Sequence, residues 1–233
     1  MKAVKVIAWQ DMVCYRKPSS FILRESYPLP PFSTVIGMVH NACGYKEYVP
    51  MRVSVKGNYD SSIIDNFTAY EFKFNGKYES GRHNIAISYN DEKYGLVRGM
   101  LDTELLCNVK LSIHIVPDDQ NKLDEIYKGI YNPPKYLSLG RHEDILRIDD
   151  VRIVDLIEDM RAEEIGYSAY VPMEKANNIS GTVYRINKNY FVDKTSSRIW
   201  QEQIEVVYAS ETSSVGRMDI NVWDDEGEIV FLV

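Results

Sequence analysis

Arg24-Glu-Ser-Tyr27-Pro-Leu-Pro-Pro31-Phe-Ser33-Thr-Val-Ile-Gly37-Met-Val-His-Asn-Ala-Cys-Gly44 joins a basic loop, a proline-stiffened turn and a short apolar helix. Pro28, Pro30 and Pro31 each hold φ at about −65° and restrict the residue before them, so the chain reaches Ser33 in one preset direction. Ser33 has the side chain of an N-cap. Val35, Met38, Val39 and Ala42 fall at helical spacing and predict one buried face over 33–43. Gly44 stands where a left-handed residue ends a helix. Gly37 is out of place, since glycine costs about 1 kcal/mol against alanine in a helix interior. Its presence predicts that a sheet or a ligand backbone passes very close.

Before this stretch, Val4, Val6 and Ala8 alternate along Lys2–Gln10, a strand pattern. Residues 11–27 read as a long loop in which Tyr15, Arg16, Lys17, Phe21 and Arg24 interleave cations with aromatics, as sites for phosphates and stacked bases do. After the helix, Met51, Val53 and Val55 oppose Arg52, Ser54 and Lys56, which predicts a half-buried strand starting behind Pro50. Tyr70, Phe72 and Phe74 alternate in another strand, and Asn75-Gly76 is a hairpin-turn signal. The polar stretch 79–100, with Arg82, His83, Lys93 and Arg98, predicts an arm. Residues 106–116 have the cleanest alternation, with Val109, Leu111, Ile113 and Ile115 against Asn108, Lys110, Ser112 and His114.

Asp118 or Asp119 caps a second helix through Tyr131, which Asn132-Pro133-Pro134 ends. A Gly140-containing turn leads to a strand at 151–156. The order strand, helix, strand, hairpin, strand, helix, strand predicts an α+β fold. It is a ferredoxin-like (RRM-like) βαββαβ domain over 1–158 with a thumb-like hairpin insertion at about 75–100. Short β runs over 159–233 predict a small C-terminal antiparallel β region.

The net charge of −7 argues against a nucleic-acid binder as a bulk number, but its distribution does not. Residues 1–24 carry +4, whereas 143–164 carry −6 and 219–228 carry −5. A basic N-terminal face with acid elsewhere suits phosphate binding, and the acidic stretches are expected to face away from it. Three widely spaced cysteines read as reduced thiols, and no apolar run approaches the ~20 residues that span a bilayer. No apolar leader is expected at the start, so the expected compartment is the cytoplasm, with no membrane contact.

The sequence has no P-loop, no Gly-x-Ser-x-Gly elbow and no zinc spacing, so no metal or other cofactor is expected. Metal-free RNA cleavage needs a general base and a general acid. Tyr45, Tyr48, Lys110 and His114 are eligible by type, but nothing in their spacing selects them.

Two pieces of the chain resemble a known family. The first is Tyr15-Arg16-Lys17-Pro18 followed by Tyr27-Pro28-Leu29-Pro30-Pro31-Phe32-Ser33-Thr34-Val35-Ile36-Gly37. The second is Pro133-Pro134 followed by Leu137-Ser138-Leu139-Gly140-Arg141-His142-Glu143. Together they resemble the fifth numbered family of CRISPR-associated (Cas) proteins, in the RAMP superfamily, and look most like its type I-B branch. The resemblance implies a non-catalytic subunit of a type I effector complex (Cascade) that caps the 5′ handle of CRISPR RNA in antiviral defence. It implies the backbone subunit and the large subunit as partners, with target DNA near the target-adjacent motif a further contact. On this reading Arg16, Lys17 and Arg24 neutralise phosphates and Tyr15 or Tyr27 stacks a base. Ser33, Thr34 and Gly37 meet the RNA backbone, and Arg82, Arg98, Lys110 and Arg141 add contacts. The alternative is a metal-independent endoribonuclease acting on repeat RNA. The type I-C branch does this with a Tyr after the first helix and an adjacent Lys-His pair. Tyr45 or Tyr48 fits the first place, but the nearest to the pair are Arg82-His83 and Arg141-His142.

Overall fold

The computed structural model describes residues 1–160, 163–177, 179–194, 197–216 and 220–233, and all side chains among them except those of 72–75. Asp219 of the acidic stretch and the side chains of Phe72 and Phe74 therefore lie outside the described residues. The first half of the chain forms β1 (Lys2–Val13), β2 (Leu23–Arg24), α1 (Phe32–Cys43), β3 (Met51–Asn58), β4 (Ser61–Lys77), β5 (Ile85–Tyr89) and β6 (Glu92–Pro117). It continues with α2 (Leu123–Tyr131), β7 (Arg147–Asp159), β8 (Glu163–Glu164), β9 (Ala169–Pro172), β10 (Gly181–Val192) and β11 (Arg198–Ala209). It closes with β12 (Ser214–Val215), β13 (Asn221–Asp224) and β14 (Ile229–Val230).

One sheet of 12 strands runs β10-β11-β9-β3-β6-β1-β7-β13-β14, with β2, β4 and β5 also on β6; β8 and β12 pair apart. The central strand is β6, 26 residues long. Its second half lies between β1 and β3, with Val6 opposite Ile113 and Val55 opposite the same residue on the other side. Its first half leaves the body and pairs with β4 from Ser61↔Cys107 outward, so the arm starts at Ser61 and not near residue 75. Asn75-Gly76 lies inside β4. The turn forms instead at Asn90-Asp91, both at positive φ (47° and 59°), between β5 and β6. Two successive left-handed residues match the twist of a two-residue hairpin, and Asn and Asp tolerate that conformation.

The apolar parity of β1, β3 and β6 packs under α1 and α2 in one core. α1 buries Phe32, Val35, Ile36, Met38, Val39 and Ala42, and all but the small Ala42 are worth about 1.5–3 kcal/mol each against an exposed position. Its N-cap is Pro31, not Ser33, because the proline turn already aims the chain and Ser33 sits inside the first turn without a capping bond. Gly44, at φ 69°, ends the helix. Asp119, whose carboxylate accepts from the Asn121 N–H at 3.1 Å, opens the turn into α2.

The other parity was expected to face water, and only its ends, at Arg52 and Lys110, do so. Lys5, Ser54, Lys56, Ser112 and His114 are all buried. The turn between β13 and β14 covers them. Lys5 Nζ meets carboxylate oxygens of Asp224 at 2.6 Å, Glu226 at 2.8 Å and Glu228 at 2.7 Å. Lys56 Nζ lies 2.8 Å from Glu228, and His114 Nε2 lies 3.1 Å from Asp224. The Ser112 hydroxyl donates to Glu228, and the Phe231 N–H donates to the Ser54 hydroxyl. The acidic stretch is thus an internal lid over the sheet, and Lys5 does not belong to an exposed basic face.

These bonds hold the Glu228 carboxyl down at about 2 despite burial, and they also hold Asp224 well below the ordinary carboxylate range. Burial depresses His114 from its ordinary 6.5. All three groups have folded pKa values below their unfolded ones, so each contributes stability at neutral pH that falls away in acid. The loss should begin below about pH 6.5, as His114 charges in the unfolded chain, and steepen between about pH 4.5 and 2 as the carboxylates protonate. Glu228→Gln leaves Lys56 buried without its counter-charge and should cost about 3–5 kcal/mol in urea unfolding at pH 7. A cost under 1 kcal/mol, or a midpoint flat down to about pH 3, would show that this cluster does not hold the lid.

Candidate nucleic-acid interface

The proline turn, α1 and the β10–β11 hairpin enclose a cleft of about 480 Å³, within the ~300–1,000 Å³ range of ligand sites. Arg16 and Tyr27 form one wall, Ser33, Thr34 and Gly37 of α1 the floor, and Tyr190, Arg198 and Trp200 the opposite wall. Among the described residues no carboxylate lines it. A backbone bridge between Arg16 and Ser26 folds the 14–27 loop on itself and sets the near wall. The Tyr27 N–H donates to the Tyr15 carbonyl at 2.8 Å, and the Tyr15 N–H donates to the Ser26 hydroxyl at 3.0 Å. The Tyr27 ring stands edge-on to Tyr184 of β10, with centroids 5.7 Å apart.

Gly37 is exposed, and a Cβ built on it would meet nothing within 4 Å. The expectation of a closely packed sheet is therefore wrong: the missing side chain leaves open space, which keeps the ligand alternative. Thr34 N–H already donates to the Pro31 carbonyl at 2.9 Å, and the Ser33 N–H has no acceptor among the described residues.

The other predicted residues are dispersed. Tyr15 is fully buried, its hydroxyl donating to Gln10 at 2.6 Å, so its ring is a core element and cannot stack a base. Lys17 pairs with Glu25 at 3.2 Å on the outside of the loop. Arg24 lies with its guanidinium 4.8 Å from the Phe67 ring, at the root of the arm. Arg82 and Arg98 are exposed on the arm, and Arg82 lies 3.5 Å from Glu79. Lys110 is exposed on the lid side of β6. Arg141 forks onto Asp144, with Nη2 to Oδ1 at 2.7 Å and Nε to the same carboxylate at 3.1 Å. Asp144 also accepts from the Cys14 and Arg141 N–H groups, pinning the turn at Gly140 (φ 113°) to the end of β1. The Leu-Gly-Arg turn thus shapes the cleft margin through Ser138 and Gly140, while its arginine is held internally.

Of the candidates for metal-free cleavage, Tyr45 and Tyr48 come together around His40, but Lys110 and His114 do not join them. His114 is buried in the lid cluster, on the opposite side of the sheet from α1 and Tyr45. The Tyr45 hydroxyl is sealed from solvent beside Cys43 and Glu125, and burial pushes it up. His40 Nε2 accepts from the Val49 N–H at 3.3 Å, and burial holds the imidazole below its ordinary pKa. Its ring is fixed between Tyr45 and Tyr48. His114, Asp224 and Glu228 have the donor set of a metal site, but the Lys5 ammonium already occupies the space between the two carboxylates.

A family model for "CRISPR-associated protein (Cas_Cas5)" matches residues 3–220, nearly the whole chain and with it every wall of the cleft. The chain belongs to the Cas5 family. A solved chain of a "CRISPR RNA-guided surveillance complex" is similar in fold, at 15% identity and TM-score 0.59 over 91% of this chain and 90% of that one. A "CRISPR protein from Archaeoglobus fulgidus" aligns over 99% and 98% of the two chains at 14% identity and TM-score 0.45. No curated protein matches.

The far wall of this Cas5 cleft, Tyr190, Arg198 and Trp200, was missed in the sequence. The only available signal was a cation and two aromatics on either side of a hairpin turn whose strand pairing could not be read. Gly37→Ala supplies a direct check on the floor. With no neighbour to displace, it should raise stability by about 1 kcal/mol, a Tm increase of about 2–4 °C by calorimetry. A fall in Tm would mean that something packs on Gly37.

Proposed function

We propose that this Cas5 chain is a non-catalytic subunit of a type I CRISPR effector complex that binds and caps the 5′ handle of CRISPR RNA along the α1 cleft. The observation that carries this reading is the convergence of Arg16, Tyr27, Ser33, Thr34 and Gly37, all from the family-like stretch, on a carboxylate-free cleft with a second arginine and a tryptophan opposite. Cations beside exposed aromatic faces are the means by which single-stranded RNA is held, through phosphates and stacked bases. The strand order β3-β6-β1-β7, with a helix after the first and third of these strands in sequence, supports a ferredoxin-like layout for residues 1–158. Residues 159–233 form the added β region, and the arm 61–106 is the thumb. Exposed Tyr70, Tyr89 and Met100, beside Arg82 and Arg98, suit the arm to gripping neighbours such as the backbone and large subunits. The resemblance to the type I-B branch belongs to this reading. So does contact with target DNA near the target-adjacent motif. Burial of His114 in the lid, on the other side of the sheet from Tyr45 and Tyr48, favours capping over cleavage.

The test is incubation of the purified full chain with labelled CRISPR repeat RNA in EDTA, followed by a binding measurement and a denaturing gel. Binding without cleavage is expected. Arg16→Glu should weaken it about tenfold and reduce the salt slope by about 1, the signature of a lost phosphate contact. Unchanged affinity in both Arg16→Glu and Arg198→Glu would remove the cleft from the RNA path. A single cut upstream of the handle, lost in Tyr45→Phe, would establish the nuclease alternative.

A further inference from the structure

The cleft continues past Gly37 into a second one of about 450 Å³, and the two share Ser33, Gly37 and Tyr190. On the far side the second cleft is walled by His40 of α1, by Tyr48 of the loop that follows it and by Lys188 and Phe191 from β10. Each compartment therefore offers cations with aromatic rings: Arg16, Arg198, half-buried Tyr27 and exposed Trp200 in one; Lys46, Lys188 and exposed Tyr48 and Phe191 in the other. Lys188 also lies 3.5 Å from Glu202, and Glu47 lines the second compartment, so the first is the more positive.

The divider between them is built locally. The β10–β11 register shifts on both sides of Asn189, a bulge that breaks strict alternation just before Tyr190. Bulges re-aim side chains in this way. The Tyr190 ring is braced edge-on by Trp200 at 5.5 Å and covered by the Arg198 guanidinium at 4.8 Å. Opposite it stands the one α1 position without a side chain.

Building on the RNA-binding reading, we propose that the β10–β11 hairpin is the second jaw of the site. The groove takes two consecutive unpaired nucleotides, with their linking phosphate over Gly37 and one base on either side of Tyr190. Each compartment is large enough for one nucleotide. The open space over Gly37 admits a sugar-phosphate strand, and a large side chain there would fill it.

The test uses the full chain and a labelled single-stranded RNA of the repeat's handle sequence, with each nucleotide replaced in turn by an abasic one. Two adjacent positions should each weaken binding by about tenfold, the effect of one lost stacked base. Trp200→Ala should abolish sensitivity at one of them and Phe191→Ala at its neighbour; both residues are exposed, so both variants should melt as the parent does. Gly37→Leu should raise the melting temperature and yet weaken binding at least tenfold, an opposition that a purely structural role for Gly37 would not produce. Sensitivity spread evenly over the RNA, or unchanged binding by Gly37→Leu and Trp200→Ala, overturns the two-compartment groove and leaves the capping function standing. Failure of the parent chain to bind any single-stranded RNA overturns both.

Discussion

Two lysines in the middle of a sheet set the terms for the C-terminal third of this chain. Lys5 and Lys56 point away from the helices, and neither can be buried as an isolated charge without a penalty of several kcal/mol. The turn at 224–228 brings three carboxylates to them, and the strands on either side of it extend the sheet beyond β7. Val233 then exchanges backbone hydrogen bonds with Val53 on β3. The lid thereby ties β1, β3 and β6 together from the side opposite the helices. That fixed sheet is the base on which α1 and the hairpin face each other.

The cleft itself joins two kinds of structure. Its near side is local in sequence: prolines aim the chain, six apolar residues seat α1, and Gly44 ends it. Its far side comes from a hairpin some 150 residues later, carried to the spot by β11 pairing with β9 and β9 meeting β3. The hairpin packs on the first half through the edge of Tyr184 on Tyr27, and β9 beside it through Tyr170 on Phe32. A long-range pairing of this sort leaves no periodicity in sequence, which is why Tyr190, Arg198 and Trp200 stayed hidden.

The legible parts were those that one physical rule decides. Helical spacing gave the buried face of α1 and strand parity gave the inward residues of β6, while Asp119 caps the 3₁₀ turn that leads into α2 and not α2 itself. Misreadings came where two rules competed. Asn75-Gly76 has the better turn chemistry, but β4 runs on through it and Asn90-Asp91 makes the turn. Ser33 has capping chemistry, yet Pro31 had already started the helix. Tyr15 sits among cations in sequence, but the alternation of β1 runs on past its end and carries the ring into the core. The polar parity of β3 and β6 read as solvated because the lid that covers it lies over 100 residues away.

The acidic balance of the chain then loses its force as an argument about ligands. Asp224, Glu226 and Glu228 are spent on Lys5, Lys56 and Arg152. In the 143–164 stretch, Asp144, Asp149 and Asp150 lie against Arg141, Arg147 and Arg152. Charges neutralised within a few ångströms project little field, and salt screens the remainder over about 10 Å. What a phosphate meets at α1 is set by Arg16, Arg198 and, among the described residues, the absence of a carboxylate in the first compartment. Net charge describes the molecule's solubility, whereas binding is decided by which charges the fold leaves unanswered at one surface.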